Sequence, residues 1–491
     1  MSTPVLHDRC ASFPAVTDMR HKFSLSATAF ALLALCAQSV LTLPANAQDN
    51  PHRYTFQNGS DTKELRCPAR ARVTPGPARA ATEEELEPPD AEELDELELL
   101  LSEMASGKPS GTGSIAKADA IPRRIAIWGD SHLAAGSLTA ELKRLLASHG
   151  VRPRSPFIPM TMGRAGVIPP LRKHCMDAWK SELAYNAKHP MLTTGIGMNA
   201  LHGEPEAYLW LDLRNESGEA DVQSVDLYFH AKSGDGSIAV SIDGGPEGRV
   251  ALTGDDGFGM ITISGSAPMG ILKIRVQQQP VILHGLYLNY RESPVAVLDA
   301  FGIPGATVRS WQQIDPSSFA QYFRTRTYDM VILEFGTNEG NARPFDAVGY
   351  RRMLGESLRN LRTVFPEARC LLIAPGDRGV LLPKSRKYLG KKKTESRNGR
   401  SAGQLLQFSA IHETIFRIQK EVGARHSCEA WSMQAAMGGQ GGAYRWLLAS
   451  PPLMARDLTH FTPRGYQRLA QELADSLGWK EGLPATRDSA P

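Results

Sequence analysis

Residues 123–146 read RRIAIWGDSHLAAGSLTAELKRLL. A short apolar run, Ile125 to Trp128, stops at a Gly-Asp-Ser-His turn and passes into a stretch with helical spacing, Leu138, Leu142, Leu145 and Leu146. The pattern predicts a buried strand, a tight turn and an amphipathic helix. Ser131 then has two readings. A serine that opens a helix caps its free N–H groups. A serine at the C-terminal end of a parallel strand also stands where open α/β sheets bind their ligands. Local sequence favours the cap, and only a base elsewhere in the chain turns the serine into a nucleophile.

The same rhythm recurs further along. The runs "VAVLDAF", "MVILEF" and "CLLIAP" each precede an amphipathic stretch, at 307–323, 345–364 and 403–421. Strands followed by helices in this way predict a three-layer α/β/α fold, flavodoxin-like, around a mostly parallel sheet. In the last element, "TPRGYQRLAQELADSLGW", Thr462 is placed as N-cap with Pro463 at the first helical position.

Between about 200 and 291 the rhythm breaks into short alternating runs, such as "SVDLYFHA", "SIAVSID" and "ILKIRVQQ", separated by turns rich in Gly, Asp and Asn. This predicts an all-β sandwich, jelly-roll-like, inserted over 166–292. The α/β part is then split into 121–165 and 293–480. Trp210, Tyr228, Phe229 and Tyr287, at alternating positions, are expected in the core of the insert rather than on a sugar-stacking surface.

The first 120 residues read differently. Arg20, His21 and Lys22 precede "LSATAFALLALCAQSVLTL", and small residues Ala45 and Ala47 follow. That is the layout of a secretory signal peptide over 1–47, with Met19 as a candidate start, and it predicts an exported, periplasmic protein. Residues 48–120, rich in Pro and acidic residues, are expected to be a disordered linker, and 481–491 a disordered tail. Lys and Arg number 55 against 52 Asp and Glu, which argues against a nucleic-acid partner. The basic stretch 384–400, "KSRKYLGKKKTESRNGR", reads as a solvated loop with an anionic surface as its alternative partner.

Past Ala47, Cys67, Cys175, Cys370 and Cys428 remain. Four cysteines allow three full pairings, and Cys370, opening an apolar run, is read as a buried free thiol. With no C-x-x-C or H-E-x-x-H pattern, neither a metal nor a cofactor is expected.

The base for Ser131 is found in "ARDLTHFTPRGY", where Asp457 and His460 stand three residues apart before the final helix. One segment can thus supply an imidazole and the carboxylate that orients it. Gly305, after "VAVLDAF", and Asn338, after "MVILEF", are candidate oxyanion donors at the same sheet edge. Asp130 is read as bracing the turn, and His132 has no assigned role.

"GDSH", "GIPGAT", "GTNE" and "DLTH", in this order, resemble the blocks of the SGNH (GDSL-type) hydrolase family. The resemblance covers 123–150 and 293–478. It departs where Glu339 follows Asn338 in place of the family's Asp, and where Phe461 follows His460 in place of Pro. With "APGDR" at 374–378 and "MGG" at 437–439, the chain is similar to exported peptidoglycan O-acetylesterases, which carry a carbohydrate-binding-like β domain between the first two blocks. The resemblance implies an esterase that removes O-acetyl groups from peptidoglycan. Ser131 would be the nucleophile, His460 and Asp457 its base and orienter, and Ser131, Gly305 and Asn338 the oxyanion hole. The alternatives are an O-acetyltransferase using the same site, or an inactive glycan-binding scaffold.

Overall fold

The computed structural model describes residues 52–60, 112–113, 115, 121–191, 193–234, 236–380 and 405–479. Chain contacts separate Met1–Pro51 from His52–Pro491, and every described residue lies in the second unit. The expected leader 1–47, most of the expected linker, the basic stretch 384–400 and the tail 481–491 fall outside the described residues.

Strand β1 is His52–Phe56. β2 (Arg124–Gly129) leads into the one-turn helix α1 (Ser131–Ala134) and the longer α2 (Ser137–Ser148), then the short strands β3 (Pro153–Arg154) and β4 (Phe157–Pro159). Eight strands follow without an α-helix between them. They are β5 (Lys173–Leu183), β6 (Asn199–Asp212), β7 (Val222–Ala231), β8 (Ser237–Ile242), β9 (Gly248–Ala251), β10 (Gly257–Met269), β11 (Ile271–Gln278) and β12 (Val281–Tyr290). The strand–helix rhythm returns with β13 (Ala296–Gly302), β14 (Met330–Glu334), α3 (Ala347–Val364) and β15 (Arg369–Ala374). It ends with α4 (Gln407–Arg425), β16 (Cys428–Ser432) and α5 (Pro463–Ser476).

One sheet is wholly parallel, in the order β16-β15-β14-β2-β13-β3. Leaving aside the two-residue β3, the order by chain position is 2-1-3-4-5, the flavodoxin-like arrangement. Side chains of β2 alternate between two cores, as a strand buried on both faces requires. Ile125 and Ile127 pack with Leu138, Leu142 and Leu146 of α2 and with Leu469 and Leu473 of α5. Ala126 and Trp128 face the other way, toward Phe301, Trp311, Phe323 and Phe365. Trp128 sits at the centre of that aromatic cluster, and its indole N–H donates to the Ile196 carbonyl at 3.0 Å. Helix α5 starts as its sequence predicts: Thr462 Oγ1 accepts the Gly465 N–H at 3.2 Å, with Pro463 in the first turn.

The other sheet has ten strands. Eight run in the order β1-β10-β7-β12-β6-β11-β8-β9, with β4 added on β12 and β5 on β6. All pairs are antiparallel except β1 with β10. Its own core includes Ile158, Leu209, Leu227, Ile238, Ile263 and Ile274. Trp210, Tyr228, Phe229 and Tyr287 are all buried, but only Phe229 lies in this core; Tyr228 and Tyr287 pack into the aromatic core of the parallel sheet, and Trp210 with Cys175 and Ile271.

Three expectations need correcting here. The strands of the β region are hydrogen-bonded as one continuous mixed sheet rather than two separate facing sheets, and that sheet already includes Phe157–Pro159. His52–Phe56, expected in a disordered linker, is a strand lying alongside Ile261–Gly265, with Tyr54 and Phe56 packed on the β core. Local composition missed it because a five-residue edge strand draws its stability from the sheet it joins. Cys370 is not a free thiol: it is disulfide-bonded to Cys428, and Cys175 is disulfide-bonded as well. Cys370 and Cys428 are registered neighbours on parallel β15 and β16, with Cα atoms 4.5 Å apart, so pairing of the strands brings the thiols together.

Candidate active site

The C-terminal ends of β2, β13 and β14 lie side by side, since the register pairs Gly129 with both Gly302 and Glu334. The turns after these strands therefore share one edge of the sheet. They carry Ser131, Gly305 and Asn338.

Ser131 is the first residue of α1, and the cap is Asp130. Asp130 Oδ1 accepts the His132 N–H at 2.9 Å, and Asp130 Oδ2 accepts from Asn338 Nδ2 at 3.2 Å. With the capping taken by the neighbouring aspartate, the Ser131 hydroxyl points to His460, whose Nε2 lies 2.9 Å from Oγ. His460 Nδ1 is 2.6 Å from Asp457 Oδ2, and Asp457 Oδ1 accepts the backbone N–H groups of Thr459 and His460, each at 2.9 Å. The loop that carries both residues is closed by Ala455 N–H donating to the His460 carbonyl at 2.8 Å. The three sequence-predicted residues Ser131, His460 and Asp457 thus form one hydrogen-bonded chain.

Burial pushes the Asp457 carboxyl up, but the His460 ring and the two backbone N–H groups outweigh it and hold the group at about 2. The same hydrogen bond, with the aspartate's charge, raises His460 above its ordinary value against the opposing effect of burial. An anionic aspartate therefore faces an imidazole primed to take a proton. His132 packs beside it, ring centroids 5.3 Å apart, with Nδ1 3.1 Å from the Tyr466 hydroxyl. Burial pushes His132 down to about 3, so this second imidazole is neutral.

Gly305 adopts φ +83°, a conformation that costs an L-residue energy, and a Cβ there would lie 3.2 Å from the Tyr185 hydroxyl. The backbone N–H groups of Ser131 and Gly305 have no acceptor among the described residues. Asn338 Nδ2 is already engaged, with the Ala306 carbonyl at 2.9 Å and with Asp130 at 3.2 Å. It ties the Gly305 loop to the Ser131 turn.

Behind these groups lie buried carboxyls. Asp130 N–H donates to Glu334 Oε2 at 3.1 Å, and a Cβ on Gly129 would fall 2.6 Å from the same oxygen. Burial, with the charge of Asp130, pushes Glu334 well above the usual carboxylate range. Burial pushes Asp130 up to about 6 and Glu339 up to about 7. Glu339 Oε1 accepts the Val308 N–H at 2.8 Å, bracing the far end of the Gly305 loop.

No protein-family model and no curated protein sequence matches the chain. Among solved structures, a peptidoglycan O-acetylesterase superposes with a TM-score of 0.54 at 23% identity, covering 78% of this chain and 94% of that one. The chain shares the fold of that structure. Other solved structures with probability 1.00 are more distant. A family two carbohydrate esterase from Cellvibrio japonicus has a TM-score of 0.22 at 13% identity, covering 62% of this chain and 99% of that one. A Corynascus thermopiles (Myceliophthora fergusii) carbohydrate esterase family 2 enzyme with a carbohydrate-binding domain has 0.24 at 12% identity, covering 61% and 100%.

Several residues of this site escaped the sequence reading. Tyr185, from the turn after β5, reaches the Gly305 loop, its hydroxyl 3.4 Å from the Pro304 carbonyl. Arg309 locks that turn in place by donating to the Tyr185 and Ala187 carbonyls at 2.7 and 3.0 Å. No local pattern links a residue of the β region to the Gly305 loop 120 positions later in the chain. Glu339 did leave a signal, as a departure from the family's Asp. The "APGDR" segment left another, since its Arg378 acts on the charges of both His460 and Asp457.

Proposed function

We propose that the chain is an exported serine esterase that removes O-acetyl groups from a cell-wall polysaccharide, peptidoglycan, through an acetyl-serine intermediate. The observation that carries the reading is the continuous Ser131–His460–Asp457 hydrogen bonding, 2.9 and 2.6 Å, at the C-terminal edge of the parallel sheet. In the first step His460 Nε2 takes the Ser131 proton as Oγ attacks the acetyl carbonyl carbon. The tetrahedral oxyanion is met by the Ser131 and Gly305 N–H groups. Asn338 joins them by giving up its longer bond, to Asp130. His460 then protonates the departing sugar oxygen. Water, deprotonated by the same imidazole, attacks the acetyl-serine, and acetate leaves.

Residues 166–292 are read as an inserted carbohydrate-binding-like β domain between 121–165 and 293–480. The reading is supported by the apolar core of the β region and by pairings within one sheet, both of which also take in His52–Phe56 and Phe157–Pro159 ahead of residue 166. Export rests on the N-terminal charged and apolar runs. Polysaccharide as substrate rests on the fold shared with a peptidoglycan O-acetylesterase.

The test is acetate release from O-acetylated peptidoglycan by the purified chain and by its Ser131→Ala variant. Release by the first and none by the second is expected. Equal release by both removes the nucleophile assignment, and release from small acetyl esters alone removes the substrate.

A further inference from the structure

Arg378, whose charge acts on His460, and Arg343 beside it have no acidic partner of their own among the described residues. Arg378 follows β15 at the same sheet edge as Ser131 and is half-buried; Arg343 precedes α3 and is exposed. Both guanidinium groups lie on the ring of Phe408, at 4.0 Å for Arg343 and 4.1 Å for Arg378 from its centroid. Their hydrogen bonds go to neutral acceptors. Arg343 Nη1 donates to Gln407 Oε1 at 2.8 Å, and Arg378 Nη1 donates to Asn341 Oδ1. Among the described residues neither makes an ion pair.

The nearest carboxylates in sequence and space are committed elsewhere. Asp377, next along the chain, points inward, where Oδ1 accepts Gln434 Nε2 at 2.8 Å and Oδ2 accepts the Ala443 N–H at 2.9 Å. Asp457, whose charge Arg378 feels, gives one oxygen to the His460 ring and the other to two backbone N–H groups. Among the described residues, Arg378 also acts on His132, His412 and His460, and on Arg343. Burial holds the first two neutral. Two cations that repel each other, each with unused N–H donors in a planar fork, are matched to carboxylate geometry. Phe408 offsets part of the repulsion through its ring face and holds the two groups together.

We infer that Arg378 and Arg343 form an anion subsite that binds a carboxylate carried by the acetylated glycan, so that the enzyme selects acidic over neutral acetyl-sugars. This inference rests on the esterase reading above and names the substrate class within it. The catalytic chain orients the acetyl group. The arginines fix the rest of the sugar by a charge a neutral acetyl-hexose lacks.

The test compares kcat/KM for 6-O-acetyl-N-acetylmuramic acid and for its carboxylate methyl ester. An acetylated muramoyl dipeptide, as free acid and as amide, tells whether the recognised carboxylate sits on the sugar or on the attached peptide. The wild-type chain is expected to prefer the acid in one of the pairs by about tenfold to a hundredfold, the usual effect of a hydrogen bond to a charged group. In Arg378→Ala that ratio falls toward one, in Arg343→Ala it falls in part, and Arg378→Lys keeps an intermediate preference. Equal kcat/KM for acid and neutral forms in the wild type overturns the subsite but leaves the esterase standing. A preference unchanged in a folded Arg378→Ala, or acid and ester rates lost in equal proportion, also overturns it. Acetate from O-acetylated peptidoglycan but from none of the sugars overturns a subsite that reads the single sugar, and acetate from neither ends both readings.

Discussion

The carboxylate of Asp130 accepts the backbone N–H of His132 at 2.9 Å, and in doing so takes over the helix cap that Ser131 would otherwise provide. Nucleophile and cap are adjacent residues rather than one. The Ser131 hydroxyl is free for His460 because Ser131 already stands inside the helix, one residue past the cap position.

That division of labour is open to substitution. Asp130→Ala removes the cap and leaves Asn338 without one of its acceptors, at a cost of about 0.5–2 kcal/mol in stability for the cap alone. Asp130→Asn keeps an oxygen for the His132 N–H and should retain most of that stability. Chemical denaturation of the two variants, with kcat measured alongside, checks the difference. Loss of kcat is expected to be larger in the alanine variant, since α1 is what aims Ser131.

His460 works as a base only when neutral, and its hydrogen bond to Asp457 raises its proton affinity above the ordinary value of 6.5. A raised value extends the protonated, inactive form to higher pH. The acid limb of kcat/KM against pH should therefore have its midpoint above 6.5. In Asp457→Asn the imidazolium loses its anion, so the midpoint should move to lower pH. In the same variant kcat should fall by up to about 10⁴-fold, as when other triads lose the carboxylate that sets the tautomer. A midpoint that stays in place would show that Asp457 does not set the histidine's affinity.

At Gly305, φ of +83° and the Tyr185 hydroxyl act together. Gly305→Ala forces an L-residue into a left-handed conformation, at about 1–2 kcal/mol. It also brings a methyl to 3.2 Å from the tyrosine oxygen. The oxyanion N–H should shift with the loop, lowering kcat by tenfold or more with little change in KM. Adding Tyr185→Phe should restore only the part due to crowding, which steady-state kinetics on the double variant reads.

The Cys370–Cys428 bridge closes a loop of 58 residues. Chain-entropy reasoning assigns it roughly 4 kcal/mol. Cys370→Ser with Cys428→Ser should lower thermal stability accordingly while leaving the distance from Ser131 to His460 intact, measurable as a lower Tm with kcat retained below it.

What the sequence revealed and what it withheld divide along physical lines. Ile125–Trp128 was readable as a central strand because burial on both faces demands an unbroken apolar run. Thr462 and Pro463 were readable because caps are local chemistry. The segments of Ser131, Gly305, Asn338 and Asp457/His460 were readable because each ends a strand or opens the last helix, and the structure brings Ser131, His460 and Asp457 into hydrogen-bonding contact. The Cys370–Cys428 pairing depended on which strands are neighbours and in what register, which no window of residues contains. The approach of Tyr185 to Gly305 and of Arg378 to His460 depended likewise on tertiary contacts. The capping by Asp130 was missed in favour of Ser131 because both residue types cap well, and only the backbone decides which occupies the position.

The strand His52–Phe56 bears on how the chain can be shortened. A version trimmed to begin at residue 121, where the parallel sheet starts, would strip the partner from Ile261–Gly265 and leave one flank of β10 with an open row of amides and carbonyls. An unprotected flank of that kind recruits strands from other molecules. Five residues from the far side of an acidic tract thus cover a stretch of β10 that would otherwise be the edge of the sheet.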